Sequence, residues 1–311
     1  MHYFVRLYSF AYKPGLEWVI SASKTHVCLD KMQVLRYLHV SGGMRVLMQK
    51  EAERLLIKKY RKTIYAPVCR AVEEYGLIEA GDRIAVCVSG GKDSFILALC
   101  MRELAAHGRV PFEVRFVSLD PGYNEETRAH LTQNAQALGI QLHTVQAPVF
   151  EVLREEDCNP CFLCARMRRG NLYHAAMDVG CNKIALGHHY DDAIETTLMN
   201  LLYGCAMKTM TPRVKSANYP GMALIRPLYR VREADILAFW QEAGYTFPGC
   251  ACGVTTREED GEMRTRARMK ALIAQLKEEN PMVERSIFTS THNVRVKDVI
   301  GYTDENGFHR N

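Results

Sequence analysis

The stretch "AVCVSGGKDSFILALC", Ala85 to Cys100, sets two adjacent glycines, a lysine and an aspartate between two apolar runs. Ahead of the glycines, "RIAVCV" is short, apolar and β-branched, the composition of a buried strand. Behind them Phe95, Ile96, Leu97, Leu99 and Cys100 continue as a helix that is apolar on most faces. A glycine turn that ends a parallel strand and opens a helix is where α/β proteins bind anions. Its backbone N–H groups point outward and the helix dipole favours negative charge. Two common versions of such a loop are excluded. The Walker-type phosphate loop needs a glycine where Val86 stands and a Ser or Thr where Asp93 stands, and the G-x-G-x-x-G dinucleotide pattern is absent. A plain strand-to-helix turn would need neither the glycine pair nor the lysine.

Outward from the loop, strand and helix patterns alternate. The strands are "RIAVCV", "FEVRFVSLD", "QLHTVQ" and "NKIALG", and the helices Asp93–Ala106, Glu125–Leu138, Ala165–Val179 and Asp192–Leu202. This rhythm predicts an α/β fold: a parallel sheet with helices on both faces. Three cysteines, Cys158, Cys161 and Cys164, interrupt it just before the third helix. The expected organisation is an N-terminal extension (1–47), a basic helical region (48–80), the α/β domain with its cysteine insertion (81–245), and a C-terminal cysteine turn and helix (246–311). The helix from Met48 is broken by Pro67, and Arg54, Lys58, Lys59, Arg61 and Lys62 give it a basic face. The extension breaks in composition from the rest and is expected to be dispensable. A last basic helix is expected near Met263–Leu276, stopped at Pro281, and its Arg264, Arg266, Arg268 and Lys270, like the Met48 face, are candidates for contact with nucleic-acid phosphates.

The chain has 311 residues, nearly half of them hydrophobic, and a net charge of +5 that permits a nucleic-acid partner without requiring one. No apolar run reaches membrane-spanning length, so no membrane partner is expected. Eleven cysteines without a signal peptide argue for a cytoplasmic protein in which clustered thiols do metal or redox chemistry. Cys161 and Cys164 are close enough to share one metal site, and Cys250 and Cys252 form a second pair. On spacing alone a closed zinc site and an iron–sulfur cluster fit equally well.

A second polar cluster, "LGHHYDD", follows the "NKIALG" strand and supplies Gly187, His188, His189, Asp191 and Asp192. Carboxyl ends of parallel strands share one edge, so this cluster can face the Ser89–Ser94 loop, as can Asp120 at the end of "RFVSLD". Carboxylates there suit a divalent cation accompanying a triphosphate. Local readings are a capping pair for Asp191–Asp192 and strand-end hydrogen bonding for the two histidines.

Ser89-Gly90-Gly91-Lys92-Asp93-Ser94 resembles the S-G-G-x-D-S signature of the pyrophosphate-loop ATPases. "CFLCARMRRGNLYHAA", "KIALGHHYDDAIETTLMNLLYG" and "IRPLYRVREADI" resemble three blocks of the tRNA 2-thiocytidine synthetases (the TtcA family), and the likeness runs from about Met48 to Val294. The resemblance implies a Rossmann-like, adenine nucleotide alpha hydrolase-like fold. It further implies ATP- and Mg2+-dependent thiolation of cytidine 32 in the tRNA anticodon loop, through an adenylated base. By that likeness Ser89, Gly90, Gly91, Lys92, Asp93, Ser94, Asp120, Arg168, Gly187, His188 and Asp192 bind ATP, with Asp93 and Asp192 catalytic. Cys161 and Cys164, with Cys252 or its alternative Cys250, would hold a [4Fe-4S] cluster, and Arg166, Arg168 and Arg169 beside the pair favour the cluster over zinc. Expected partners are tRNA, a cysteine desulfurase or other sulfur donor, and a second copy in a homodimer. A 2-thiouridine synthetase, a lysidine synthetase-like enzyme and a zinc-stabilised RNA-binding module remain the competing readings.

Overall fold

The computed structural model describes residues 10–11, 18–22, 25–29, 42–147, 149, 160–247 and 261–311. Side chains are described from Met48 onward, except those of 160–166 and 261–264. In chain order the strands are β1 (Phe10–Ala11), β2 (Trp18–Ala22), β3 (Thr25–Leu29), β4 (Arg83–Cys87), β5 (Glu113–Asp120), β6 (Leu142–Gln146), β7 (Lys183–Ala185), β8 (Arg213–Lys215), β9 (Ala223–Ile225), β10 (Gly301–Asp304) and β11 (Gly307–Arg310). The helices are α1 (Gly42–Lys58), α2 (Ala66–Glu74), α3 (Lys92–His107), α4 (Glu125–Ala137), α5 (Pro160–Asp178), α6 (Tyr190–Tyr203), α7 (Glu233–Ala243), α8 (Gly261–Glu279) and α9 (Val283–Ser290).

The central sheet has the order β6-β5-β4-β7-β9-β8, all parallel except the edge strand β8. The chain winds outward from β4 through β5 to β6, then returns to β7 on the other side of β4. The crevice between the carboxyl ends of β4 and β7 is therefore the switch point at which such sheets bind ligands. Ile84 and Val86 face a core closed by α2, α3 and α7, while Ala85 and Cys87 face one that includes Tyr173, Ala175 and Ala176 of α5. Helices on both faces explain why β4 reads as a continuous apolar run instead of an alternating one.

The four strands and four helices expected around the loop are all present. Three details differ. The Met48 helix extends back to Gly42, into the segment assigned to the extension, which also carries the antiparallel sheet β1-β2-β3. The break before α2 falls near Tyr60, ahead of Pro67, because proline sits in the first turn of α2, where its missing N–H is not needed. Finally, α5 begins at Pro160, so Cys161 and Cys164 lie on the helix and not before it. No described helix is long and apolar enough to cross a membrane.

At the amino edge of the sheet, away from the crevice, Lys183 and Asp82 form a buried ion pair at 2.6 Å, each 4 % exposed in its side chain. Asn182 Nδ2 and the Glu79 N–H also donate to Asp82. Burial alone would raise the Asp82 pKa, but these donors and Lys183 outweigh it and hold the carboxyl below its usual value. Its contribution to stability is thus present above the unfolded carboxyl pKa and is lost as pH falls through the folded one. Lys183→Met is expected to cost roughly 3–5 kcal/mol by stranding the buried carboxylate. Urea denaturation at pH 7 checks this, and the deficit should shrink as acid neutralises Asp82.

Candidate active site

The loop after β4 is shaped for a ligand. Gly90 takes φ +91°, in the left-handed region. Gly91 precedes α3 in extended conformation and provides no side-chain cap, leaving first-turn N–H groups of α3 for another acceptor. Ser94 Oγ donates to the Gly91 carbonyl at 2.8 Å, and Tyr123 OH donates to the Ser89 carbonyl at 3.2 Å, so the loop is held from inside and outside.

Gly187, after β7, meets this loop. A Cβ on it would lie 3.0 and 3.1 Å from the Asp93 carbonyl carbon and oxygen and 3.2 Å from the Ser94 nitrogen. A side chain here would force the turn after β7 and the first turn of α3 apart by a few tenths of an ångström. The following residues form a reciprocal cap on α6. The Asp192 N–H points to His189 Nδ1 at 3.4 Å, and the His189 N–H donates to Asp192 Oδ2 at 2.9 Å. Asp191 leaves the cavity to accept from Arg232 Nη2 at 2.9 Å and from the Glu233 N–H at 2.7 Å, fixing α6 to α7. The local reading therefore accounts for His189 and Asp191. It does not account for His188, whose Nδ1 is buried without a partner.

Between the loop and this cluster lies a cavity of about 390 Å³. Ser89, Gly91, Asp93 and Ser94 line one wall, and Gly187, His188 and Asp192 another. Arg168, Arg169 and Leu172 of α5 close it, with Cys87, Val88, Leu119 and Leu186 as apolar floor. Asp93 Oδ2 accepts from Lys92 Nζ at 2.9 Å, whereas Oδ1 is buried and unpartnered. His189 Nε2 stands 3.9 Å from Asp93 Oδ1 and 3.5 Å from Asp192 Oδ2, so the two carboxylates converge on one ring nitrogen.

The electrostatics are uneven. Burial, with Arg226 next in effect, pushes the His188 imidazole down to about 4, so it is neutral near pH 7. Burial would raise the Asp192 carboxyl, but His189, His188, the His189 N–H and Arg266 together hold it below the usual range. Arg266 Nη1 donates to Asp192 Oδ1 at 2.8 Å and lies 3.4 Å from Glu195. Lys92 also meets Glu233 at 3.0 Å, and Glu233 meets Lys270 at 2.6 Å. Burial works against ionisation of Glu233, yet these two lysines bring its pKa down to about 2.

Ser89, Gly91, Asp93, Ser94, Arg168, Gly187, His188 and Asp192 thus come together around one cavity. Lys92, Gly90 and Asp120 do not line it. Lys92 turns toward Glu233, and the Trp240 indole N–H donates to its carbonyl at 2.9 Å, so it braces the loop against α7. Asp120 is engaged by Arg128 Nε at 2.5 Å and by the Gly122 and Tyr123 N–H groups at 2.9 and 2.7 Å. It builds the turn that carries Tyr123 to Ser89. Arg266 and Lys270, assigned from sequence to a nucleic-acid-facing basic surface, are tied to carboxylates of this site instead. Sequence reasoning gave no role to Glu233 or Arg226, although both stand in the "IRPLYRVREADI" block. Cys161 and Cys164 occupy positions three apart at the start of α5, hence on one helix face, ahead of Arg168. Cys158, Cys250 and Cys252 lie outside the described residues.

Comparison with known proteins gives the family and the fold. Residues 60–250 match the PP-loop domain family. A tRNA-cytidine(32) 2-sulfurtransferase of Geobacter metallireducens is 37% identical over 250 residues, covering 78% of this chain and 93% of that protein. The protein of the same name from Geobacter sulfurreducens is 38% identical over 240 residues, covering 76% and 91%. Among solved structures, the U34-tRNA thiolase NcsA from Methanococcus maripaludis, with its [4Fe-4S] cluster, aligns at TM-score 0.56 and 19% identity over 80% of this chain and 78% of that one. That likeness shows a shared fold.

Gly187→Ala is expected to push the turn after β7 away from the first turn of α3, since the contacts are to backbone that cannot rotate away. ATP binding, measured by isothermal titration calorimetry, should weaken about tenfold or more, equivalent to about 1.4 kcal/mol. Far-ultraviolet circular dichroism should stay unchanged.

Proposed function

The chain belongs to the PP-loop family and, within it, to the tRNA-cytidine(32) 2-sulfurtransferases, and from that premise we propose that it uses ATP to replace the C2 oxygen of cytidine 32 in tRNA with sulfur. The observation that carries the reading is the buried, unpartnered Asp93 Oδ1 at the head of α3, facing Asp192 across the cavity.

ATP fits the cavity with its β- and γ-phosphates on the loop. Glycines remove side chains from the approach, and the first-turn N–H groups of α3 point at the phosphates. The two carboxylates are hard oxygen donors of the kind a divalent cation selects, so Asp93 and Asp192 would hold Mg2+ there. The cation, when bound, offsets phosphate charge. Lys92, neutralised by Glu233 and Asp93, orients the Asp93 carboxylate so that Oδ1 stays toward the cavity. His188, neutral and unpartnered, has a free ring nitrogen for the nucleotide or the base and adds no charge. The target base, in a loop, is unstacked at modest cost and enters from the open edge.

The chemistry is two displacements. The cytidine C2 oxygen attacks the α-phosphorus, and the bond to the pyrophosphate oxygen breaks. Sulfur then adds at C2, and the C2–O bond breaks as AMP leaves. Cys161 and Cys164 share a face at the end of α5 nearest Arg168, which suits two thiolate ligands of one centre, with Cys252 or Cys250 as the third. A [4Fe-4S] cluster held by three thiolates supplies an iron with an open coordination position. A cysteine desulfurase or another donor provides the sulfur, with a thiol supplying the two electrons that bring persulfide sulfur to the sulfide level before it adds at C2, and the cytoplasm, which keeps thiols reduced, suits these cysteines.

Asp93→Asn removes the carboxylate charge and keeps the shape. Pyrophosphate release in the presence of tRNA is expected to fall about 100-fold or more, by loss of the charge that holds the cation, with the melting temperature little changed. In cells lacking the gene, a plasmid copy should restore 2-thiocytidine in digested tRNA by mass spectrometry, and Asp93→Asn should not. Appearance of 2-thiouridine instead would reject the assigned base. Cys161→Ala or Cys164→Ala should lower the iron content of anaerobically prepared protein and abolish thiolation; stoichiometric zinc without iron in the wild type would reject the cluster.

A further inference from the structure

Arg226 is the most deeply buried arginine described, 6 % exposed, and it has no ion pair, unlike the half-buried Arg230, Arg232 and Arg266. Arg230 meets Glu74, Arg232 meets Asp191 and Glu284, and Arg266 meets Asp192 and Glu195. Arg226 donates through Nη1 to the Thr211 carbonyl, and its Nε is buried with no partner. The charges acting on it are Arg169, which opposes it, and Asp192, which lies beyond ion-pair distance. Burial, then Arg169, push its pKa down to about 10. A guanidinium taken out of water without an acid costs several kcal/mol unless something else supplies negative charge.

Position says what that is. Arg226 directly follows β9, and the register Ala185↔Ile225 sets it beside Leu186, on the face that α5 covers. Leu186 is cavity floor, and Arg168 and Arg169 of α5 close the cavity above it. Arg226 itself does not line the cavity, but Arg169, near enough to oppose its charge, does, with Arg168 next to it in α5, two strands along from the Ser89–Ser94 loop.

We propose that Arg226, together with Arg169 and Arg168, forms a second anion site that takes a phosphate oxyanion on the β9 side of the cavity. The phosphate comes either from the α position of the nucleotide or from the tRNA backbone beside the target base. The proposal rests on the functional reading above for these two sources and not for the charge arrangement itself. A rigid, desolvated guanidinium gives a bidentate grip on phosphate that a surface lysine does not. Its uncompensated charge in the free protein is stability given up for binding.

Thermal unfolding of the full-length protein tests this, with wild type, Arg226→Met, Arg226→Lys and Arg169→Met compared alone, with ATP, and with an unmodified tRNA transcript. Arg226→Met alone should melt at the wild-type temperature or above it, because an unpaired buried charge is gone. Its rise in melting temperature with one of the two ligands should fall by an amount that corresponds to about tenfold weaker binding, with Arg226→Lys between and Arg169→Met similar. Loss with ATP assigns the α-phosphate, and loss with tRNA assigns the backbone. Equal ligand shifts in wild type and both methionine variants overturn the anion site while the functional reading stands. If Arg226→Met does not fold, the Arg169→Met comparison decides alone. A wild type that responds to neither ligand overturns both.

Discussion

The approach of Gly187 to the backbone of Asp93 and Ser94 is the contact on which the site depends. It is a van der Waals limit, not an attraction, and it sets how closely the turn after β7 can approach the first turn of α3. Because β4 and β7 are parallel and adjacent, every side chain that follows them leaves from the same edge. Asp93 and Asp192 converge on His189 for that reason, though nearly a hundred residues separate them. The cavity is the space left once the two backbones have met. The ligating groups are therefore placed by rigid elements, and little remains to be organised when substrate arrives.

Around this contact the protein uses carboxylates in two distinct ways. Asp120, Asp191 and Glu233 are saturated by hydrogen bonds and ion pairs, and they tie β5, α6 and α7 to the loop. Asp93 keeps one oxygen unsatisfied, and Asp192 opens onto the cavity. Burying an unpaired carboxylate oxygen is costly, so its presence beside a well-satisfied neighbour marks the position that a cation or ligand completes. Asp93 and Asp192 are not distinguished from Asp120 and Asp191 by residue type. Hydrogen-bond accounting sets Asp93 apart, and its place on the cavity wall sets Asp192 apart, since both Asp192 oxygens already accept from Arg266 and the His189 N–H.

That difference also explains what the sequence could show. The loop, the four strands flanking it and the facing "GHHYDD" cluster were legible, because each is a local pattern and the parallel sheet brings their ends together by rule. Strands β8 and β9 were not, since three residues such as Ala223–Ile225 carry no period and are strands only through pairing with β7. The inward turn of Lys92 was equally hidden. A lysine in a phosphate loop suggests a phosphate contact, and only the position of Glu233, more than a hundred residues on, redirects it. Arg266 and Lys270 read as a basic face for nucleic acid for the same reason: their partners are distant in sequence. Patterns report neighbours along the chain, and these charges are decided by neighbours in space.

Arg266 and Lys270 both lie on α8, the helix that follows the segment containing Cys250 and Cys252. One reaches Asp192 on the cavity wall, and the other reaches Glu233, which holds Lys92 and through it Asp93. The C-terminal region is thereby linked to both carboxylates assigned to the cation. At the other end of the cavity, α5 carries Cys161 and Cys164 and then Arg168 and Arg169. The segments bearing the metal-ligand candidates are thus each continuous with a helix that touches the nucleotide site, so displacement of either helix alters charge at the cavity. In the proposed reaction, which activates a base at one centre and delivers sulfur from another, α5 keeps Cys161 and Cys164 in register with the cavity through a helix, which transmits position better than a loop.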